Sequence, residues 1–411
     1  MKKDIDHLME AAGLDALFVL GAAQHNPFMT YFTGGAHVSS AYLIKKRGEE
    51  PFLYHNAMER EEAAKSGLEC HDFNETDPLK LLKQAGGDVT RGRALQWETI
   101  FRRHGIQGRV GLYGELEIGP AFTALKLLDE ALPDVEFVGE TETEAVLLKA
   151  RSTKDSPEID HIRHIGRITT EVVGEVADYL THCAVREETL INADGEPVTI
   201  GAIRKRINLA LAAKGAENPE GTIFAQGRDA GIPHSVGQDD QAVMLGKTIV
   251  FDIYPCEAGG GYFYDFTRTW SLGYATDEAL QLYEDVRDVY EKIMASLRPE
   301  IPCRDLQILT CELFEQKGHP TILNTPATQE GYVHSLAHGL GLAVHEAPHF
   351  QYAESNKDLL LPGSVVTIEP GLYYPSRGMG ARIENPVWVR PDGKMETVVE
   401  YPLDFVLPMH P

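Results

Sequence analysis

The strongest constraint on the fold of this chain is a change in hydrophobic pattern near residue 150. Before it, short strand-like segments such as residues 16–21 alternate with helical ones. After it, isoleucine, valine and leucine recur every three or four positions over residues 159–180, which is typical of an amphipathic helix. The sequence therefore predicts an α/β domain over residues 1–150 and a second domain over residues 151–411.

The second domain combines long helices with strands that do not alternate with them. Helices are predicted over residues 200–214, 277–297 and 304–317. The strands predicted between and after these helices have the sequences KTIVFDIY, YFYDFTRTW, SVVTIEPG and ARIENPVWV. A separation of helices from mainly antiparallel strands is typical of an α+β domain, and this is the class predicted for residues 151–411.

The charge of the chain argues against several classes of partner. With 62 acidic and 38 basic residues, the formal net charge of −24 repels nucleic acid and anionic lipid. No apolar run approaches the ~20 residues of a membrane span. Aspartates interrupt the stretch after Lys2 and Lys3 where a signal peptide needs its apolar core. Five scattered cysteines without a CxxC pair are typical of free thiols, so we expect a cytoplasmic protein without nucleic-acid or membrane partners.

Two aspartates lie on neighbouring predicted strands. Asp252 ends the first strand and Asp265 lies in the second, and the loop between them contains a proline and three glycines, which predicts a hairpin. Antiparallel pairing would bring the carboxylates together, which is tolerable when they share a proton or bind a cation. Taken alone, such a pair more often represents ordinary solvated aspartates.

Histidines cluster in a later segment that is apolar and interrupted by glycines. The four that lie close together are His334, His338, His345 and His349. Single histidines are often structural, whereas four in one such segment favour a site without establishing it. Residues 345–349 also have the sequence HEAPH, which matches the H-E-x-x-H zinc pattern. That pattern requires a helix, which the proline at position 348 disfavours, so we reject this interpretation.

Two glutamates complete the candidate residues. Glu369 ends a β-branched strand, where its carboxylate lies either at a solvated turn or in a cleft. Arg382 and Glu384 share one face of a later predicted strand. They form either a surface ion pair or part of a site, and their spacing alone does not decide between the two.

The order Asp252, Asp265, His338, Glu369 and Glu384 resembles that of the pita-bread metallopeptidases, which include Xaa-Pro dipeptidase (prolidase), aminopeptidase P and methionine aminopeptidase. The segments HSLAHGLGLAVHE, TIEPGLYYP and ARIEN carry the most specific part of this resemblance. The first third is similar to the creatinase-type domain of the prolidase and aminopeptidase P branch. The resemblance implies an α/β N-terminal domain followed by an α+β pita-bread catalytic domain.

The resemblance also implies a dinuclear metal site. Asp252 would bind one ion, Asp265 and Glu384 would bridge both, and His338 and Glu369 would complete the second. Oxygen ligands with one imidazole suit Mn²⁺, Co²⁺ or Zn²⁺. A water bridging two such ions becomes hydroxide near neutral pH.

Further roles follow from the same resemblance. Glu369 would accept the proton of the bridging water as general base. His234 would lie beside the substrate amine or carbonyl, and His345 would stabilise the tetrahedral intermediate. His334 and Arg382 would line the pocket on the proline side.

Three details complete the comparison with the family. The spacing from Asp252 to Asp265 is slightly longer than usual, which the three-glycine loop can absorb. Ala337 stands where serine or glycine is usual before the ligand histidine. Thr267 would hold Asp265 by a hydrogen bond.

The implied activity is hydrolysis of the Xaa-Pro bond in dipeptides or short peptides, by a homodimer. Three alternatives remain open: a creatinase-like or other small-molecule C–N hydrolase on the same fold, a non-catalytic binding module, and a metallopeptidase without proline preference. The five intact ligand positions argue against the first two.

Overall fold

The computed structural model describes residues 4–410, so Lys2 and Lys3 of the signal-peptide argument lie outside the described part. The chain divides into two compact units. Unit 1 comprises the residues up to 151 together with 259–261, and unit 2 comprises residues 152–258 and those from 262 onward. Among residues 4–410, no helix is both long and apolar enough to cross a bilayer.

Unit 1 is a mixed six-stranded sheet with helices. The strands are β1 (Ala16–Gly21), β2 (Ala41–Lys46), β3 (Phe52–His55), β4 (Glu69–Asp72), β5 (Gly108–Gly114) and β6 (Val135–Val138). The helices are α1 (Ile5–Ala12), α2 (Pro27–Thr33), α3 (Arg60–Ala64), α4 (Pro78–Gln84), α5 (Val89–Arg103), α6 (Ile118–Ala131) and α7 (Val146–Arg151). The strand order is β4-β3-β2-β1-β5-β6, with β1 antiparallel to β2 and parallel to β5.

Strand β1 shows why this sheet is buried on both faces. Its six residues are all buried, in agreement with the predicted apolar strand. Leu17 and Val19 belong to one hydrophobic cluster, whereas Phe18 and Leu20 belong to another. Because successive side chains of a strand point to opposite faces, a continuous apolar run supplies both cores.

Unit 2 contains four long helices and several small sheets. The helices are α8 (Ser156–Thr181), α9 (Ile200–Ala213), α10 (Asp277–Ser296) and α11 (Cys303–Gln316). The strands are β7 (Ala184–Arg186), β8 (Thr189–Ile191), β9 (Ala216–Glu217), β10 (Thr222–Gln226), β11 (Thr248–Ile253), β12 (Cys256–Glu257), β13 (Phe266–Leu272), β14 (His338–Gly339), β15 (Glu346–His349), β16 (Val365–Ile368), β17 (Gly371–Tyr374), β18 (Met379–Arg382), β19 (Asn385–Val389), β20 (Met395–Thr397) and β21 (Val406–Leu407).

Two sheets and one hairpin of unit 2 carry the candidate residues. One sheet has the order β10-β11-β13-β21 and the other the order β15-β14-β16-β19-β20. Strands β17 and β18 form a separate antiparallel hairpin. The mixture of long helices with mainly antiparallel strands confirms the α+β class expected for this part of the chain.

Helix α8 begins at Ser156 with a capping box. The side chain of Asp155 accepts a hydrogen bond from the backbone of Glu158, and the Glu158 side chain accepts one from the Asp155 backbone. Ser156, a residue type that often caps helices, is instead the first residue inside this one. Pro157 lies in the first turn, where its missing N–H costs nothing.

Candidate metal centre

The two aspartates lie together on one hairpin, as the sequence predicted. Strands β11 and β13 pair antiparallel, with Asp252 opposite Thr267, and Asp265 is the residue before β13. Both carboxylates are buried, with Asp252 7% exposed and Asp265 5% exposed. The interpretation of these residues as ordinary surface aspartates is therefore wrong.

His338 and Glu369 approach this pair from the second sheet. His338 Nε2 lies 3.5 Å from Asp265 Oδ2 and 3.5 Å from Glu369 Oε1. His338 Nδ1 lies 3.0 Å from the carbonyl oxygen of Gly339. A carbonyl only accepts, so Nδ1 carries a proton; because burial lowers the pKa of His338, the ring is neutral and its Nε2 lone pair faces the carboxylates.

Glu384 joins the cluster at a break between two strands. The predicted strand ARIENPVWV is split into β18 and β19, and Glu384 lies between them. Its backbone N–H donates to the Thr267 carbonyl at 3.1 Å, and Thr267 Oγ1 donates to Glu384 Oε2 at 2.7 Å. The expectation that Thr267 holds Asp265 is therefore wrong, because its hydroxyl is committed to Glu384. Arg382 and Glu384 are both buried, so the surface ion pair is also excluded.

The electrostatics of the cluster are those of crowded, buried acids. Burial raises the pKa of Asp265, and the neighbouring Asp252 raises it further. Burial likewise raises the pKa of Glu369 and Glu384 well above the usual range, with added repulsion from Glu384 on the first and from Asp265 and Asp252 on the second. The guanidinium of Arg382 donates to Asp252 Oδ2 at 2.5 Å and offsets part of this negative charge.

Several observations show that this donor set fits divalent cations. One ligand atom each of Asp265, His338 and Glu384 lies within 4.8 Å of the other two. Asp252 Oδ1, Asp265 Oδ1 and Glu384 Oε1 are buried without a hydrogen-bond partner. Buried oxygens of this kind are costly unless a donor or a cation satisfies them. Carboxylate oxygens with a neutral imidazole Nε2 are suitable ligands for Mn²⁺, Co²⁺ or Zn²⁺.

The cluster forms one wall of a cavity of about 510 Å³. His234, His334, His345 and Arg382, which the sequence assigned to the substrate, all line this cavity. Burial lowers the pKa of His334 to about 3 and that of His345 to about 4. Both imidazoles are therefore neutral near pH 7. Further lining residues include Glu220, Ile223, Tyr254, Val344 and Phe350.

The comparison with known proteins agrees with this geometry. Residues 160–391, more than half of the chain, match the description "Metallopeptidase family M24". The chain belongs to metallopeptidase family M24. This family membership covers every residue of the candidate metal centre.

Individual members of the family match over much greater lengths. The Xaa-Pro dipeptidase of Pyrococcus furiosus is 26% identical over 96% of this chain and 97% of its own length. The probable dipeptidase PepE of Mycobacterium tuberculosis is 30% identical over 77% of this chain and 76% of its own.

Solved structures of similar proteins show the same two-domain pita-bread fold. The prolidase from Pyrococcus furiosus has a TM-score of 0.70 at 22% identity, covering 97% of this chain and 99% of its own. The X-Pro aminopeptidase from Thermotoga maritima has a TM-score of 0.74 at 23% identity, with the same coverage.

The alternative zinc pattern of residues 345–349 is excluded by the backbone of this family M24 chain. Glu346–His349 is strand β15, so His345 and His349 do not share a helical face. His349 is half exposed and instead contacts Asp358, with Nδ1 3.2 Å from Oδ2. The structure thus confirms the rejection of this pattern.

Sequence reasoning missed Tyr373, which connects several candidate residues. Its hydroxyl accepts from Arg382 Nη1 at 2.6 Å and donates to His334 Nε2 at 2.9 Å, because His334 Nδ1 donates to the Ser335 carbonyl. Arg382 Nε also donates to Thr267 Oγ1 at 3.2 Å. The only available signal was the position of Tyr373 shortly after Glu369.

Proposed function

We propose that this chain is a dinuclear metal-dependent exopeptidase that hydrolyses the Xaa-Pro bond of dipeptides or short peptides. The observation that carries the proposal is the convergence of three buried carboxylates, the partly buried Glu369 and one neutral imidazole, with three carboxylate oxygens lacking a hydrogen-bond partner. The Xaa-Pro substrate class is supported by the named relatives, a Xaa-Pro dipeptidase and an X-Pro aminopeptidase among them.

The proposed ligands divide between two ions. Asp252 would hold one ion, Asp265 and Glu384 both, and His338 and Glu369 the other. Divalent ions bound there would lower the pKa of a water molecule and polarise the substrate carbonyl. We propose Mn²⁺, Co²⁺ or Zn²⁺, because the mixed oxygen and nitrogen donor set suits each of them.

Glu369 is proposed as the general base. Its carboxylate lines the cavity beside His338, and it would accept the proton of the attacking water and later deliver it to the proline nitrogen. The backbone N–H of Glu369 donates to the Leu336 carbonyl at 2.9 Å, which fixes the backbone position from which the Glu369 side chain extends. Such positioning keeps the carboxylate oriented towards the cavity.

The remaining lining residues would bind the peptide. His234 would contact the substrate amine or carbonyl, and the neutral His345 would donate a hydrogen bond to the developing oxyanion. His334 and Arg382 would line the proline side. Since proline has no N–H and a fixed φ, recognition there depends on shape and on the substrate carboxylate.

Further parts of the proposal concern the whole chain. We propose that residues 1–150 are a creatinase-type domain, that residues 151–411 are the catalytic domain, and that the protein works as a homodimer. A cytoplasmic location is supported by the five cysteines, none of which forms a disulfide in the described part of the chain.

The proposal is tested by assaying the metal-loaded protein on Xaa-Pro dipeptides, Xaa-Pro tripeptides and proline-free controls. Hydrolysis restricted to the proline substrates and abolished by chelator is expected. Equal rates on proline-free peptides would replace the proposal by a general metallopeptidase. Full activity in thoroughly metal-stripped protein would favour the creatinase-like alternative, and no hydrolysis with two ions bound would favour a binding module.

A further inference from the structure

A buried ion pair flanks the loop that carries His345. Lys154 Nζ lies 2.5 Å from Glu346 Oε1, and the two side chains are only 1% and 4% exposed. Lys154 immediately precedes Asp155, the cap of helix α8, and Glu346 begins strand β15. The pair therefore connects the segment before α8 to the start of β15, immediately after His345.

Stability alone does not account for this pair. Taking two charges out of water carries a large desolvation penalty, and replacing a buried ion pair by well-packed apolar side chains is often neutral or stabilising. A charged pair differs from apolar packing in that it fixes one arrangement of its two partners. The geometry imposed on the surrounding backbone is therefore the more informative property of Lys154 and Glu346.

The loop backbone is packed directly against the pair. A Cβ atom on Gly341 would lie 2.2 Å from Glu346 Oε1 and 2.8 Å from Lys154 Cε, so only glycine allows this approach. The Gly341 carbonyl accepts from the Phe263 N–H at 2.8 Å. The pair thus packs against a loop that is hydrogen-bonded to the segment just before Asp265.

His345 depends on this backbone for its orientation. It lies between Val344, which is buried, and Glu346, while its own ring lines the cavity 4.3 Å from the ring of His338. Glu346 pairs with Gly339 in the sheet, next to His338. The two buried neighbours therefore act as anchors, and the imidazole between them faces the cavity.

We propose that Lys154 and Glu346 are positioning residues for His345. Their ion pair holds the loop of residues 341–349 so that the imidazole faces the carbonyl of a bound peptide. The role given to His345 rests on the proposed function. The anchoring of the loop does not, and it can be measured without a substrate.

The test replaces the pair by apolar side chains in the variant Lys154→Met/Glu346→Leu. Its thermal midpoint and metal stoichiometry are expected to stay close to those of the parent, while amide hydrogen exchange in residues 341–349 becomes faster. On an Xaa-Pro dipeptide, kcat should fall about 10–100-fold with little change in KM, the scale expected for a misplaced catalytic group. The charge-exchanged variant Lys154→Glu/Glu346→Lys should recover part of kcat.

A second ion pair, made by a residue within helix α8 and partly exposed, provides the control. Arg163 and Glu396 lie 2.7 Å apart and join α8 to β20. The variant Arg163→Met/Glu396→Leu should leave both exchange in residues 341–349 and kcat at parental values. Equal losses in this variant and in Lys154→Met/Glu346→Leu would overturn the inference, because the effect would then be a general one on folding.

Other outcomes also decide the matter. Parental exchange and parental kcat in Lys154→Met/Glu346→Leu would show that the pair positions nothing. If that variant does not fold, Gly341→Ala displaces the Glu346 carboxylate while keeping both charges, and the same two readouts apply to it. If the parent hydrolyses no Xaa-Pro peptide, the proposed function fails, and hydrogen exchange alone decides whether the pair anchors the loop.

Discussion

Glu369 is proposed both as a metal ligand and as the general base. Replacing it by glutamine keeps the shape of the side chain but removes its basic oxygen and its negative charge. General acid–base catalysis is typically worth ~10²–10⁴-fold, so Glu369→Gln should lower kcat by at least that factor. Steady-state kinetics on an Xaa-Pro dipeptide measure the effect, with Glu312→Gln on the exposed side of α11 as the control. A kcat within a few-fold of the parent would remove Glu369 from the proposed role.

His338 and His349 lie opposite each other in the pairing of β14 with β15, yet their surroundings differ. His338 is buried among carboxylates, whereas His349 is half exposed and contacts Asp358. We expect His338→Ala to weaken binding of one ion by ~10–100-fold or more, because that is the loss of affinity typical of mutations next to metal ligands, and removal of a ligand itself should cost at least as much. His349→Ala should retain two ions and much of the activity. Metal stoichiometry at limiting metal is measured for both variants. Loss of metal in His349→Ala but not in His338→Ala would refute the ligand assignment.

The candidate site residues predicted from the sequence all line the cavity, but their contacts with one another were not predicted. The order of acids and histidines singled out Asp252, Asp265, His338, Glu369 and Glu384. Side-chain partners depend on packing between distant segments, which no local pattern encodes. Tyr373, for example, is an unremarkable strand tyrosine until the hairpin places it against Arg382. The Lys154–Glu346 pair spans 192 positions and has no signature in either segment.

Among the structural elements, helix α8 is tied to the connection between β11 and β13. His161 Nδ1 lies 2.7 Å from Glu257 Oε1, and Glu257 belongs to β12, between the two aspartate-bearing segments. The hydrogen bond to Glu257 raises the pKa of His161 above 6.5. Burial is the largest influence on Glu257 and alone would raise its pKa, but the hydrogen bonds from His161 and from the Tyr262 N–H, together with the nearby histidines, outweigh it, and the net shift is downward from 4.5.

These shifts predict a window of pH in which the pair stabilises the fold. The raised pKa of His161 stabilises the folded state below about pH 6.5, and this contribution is lost as the pH rises through the folded-state pKa. The lowered pKa of Glu257 stabilises the folded state above about pH 4.5, and this contribution is lost as the pH falls through the folded-state pKa. The melting temperature of His161→Gln should therefore be lower than that of the parent by about 1–3 °C between pH 5 and 6, because half-exposed pairs contribute little.

Thermal melts across pH 3.5–9 measure this difference, and it should vanish at both extremes. His7→Gln on α1 serves as the control, since His7 is exposed in unit 1. A difference between His161→Gln and the parent that does not change with pH would mean that the side chain stabilises by packing rather than by charge.

Elements with a clear hydrophobic period were predicted closely, and those interrupted for the site were not. The helix predicted over 277–297 is Asp277–Ser296, because its apolar face repeats without interruption. The predicted strand ARIENPVWV, by contrast, is broken at Glu384. After β18 ends, the backbone of Glu384 pairs with Thr267 in an isolated antiparallel bridge. The alternation of side chains along the sequence does not reveal such a long-range pairing.

On the scale of the whole molecule, the net charge of −24 creates a negative field around the protein. Two divalent ions would compensate the buried carboxylates but leave the chain strongly negative. Glu220 adds a local negative charge, since it is exposed and lines the cavity. The pKa of Tyr254 is raised mainly by burial, then by Asp252 and Asp265, and to a smaller extent by Glu220. Both effects favour a peptide whose first side chain is cationic.

This field predicts a preference that depends on ionic strength. At about 20 mM salt, kcat/KM for Lys-Pro should exceed that for Glu-Pro several-fold, because the substrates carry opposite net charges near neutral pH. The Debye length shrinks from about 10 Å at 0.1 M to about 3 Å at 1 M, so the ratio should fall towards the value set by direct contacts. Glu220→Gln should lower this residual ratio at high salt while leaving the salt-dependent part largely intact, since one charge among many is removed. Leu-Pro, with an uncharged first side chain, controls for effects of salt on catalysis itself. A Lys-Pro to Glu-Pro ratio that stays constant from low to high salt would show that local contacts alone select the substrate and that the overall charge serves another purpose, such as solubility.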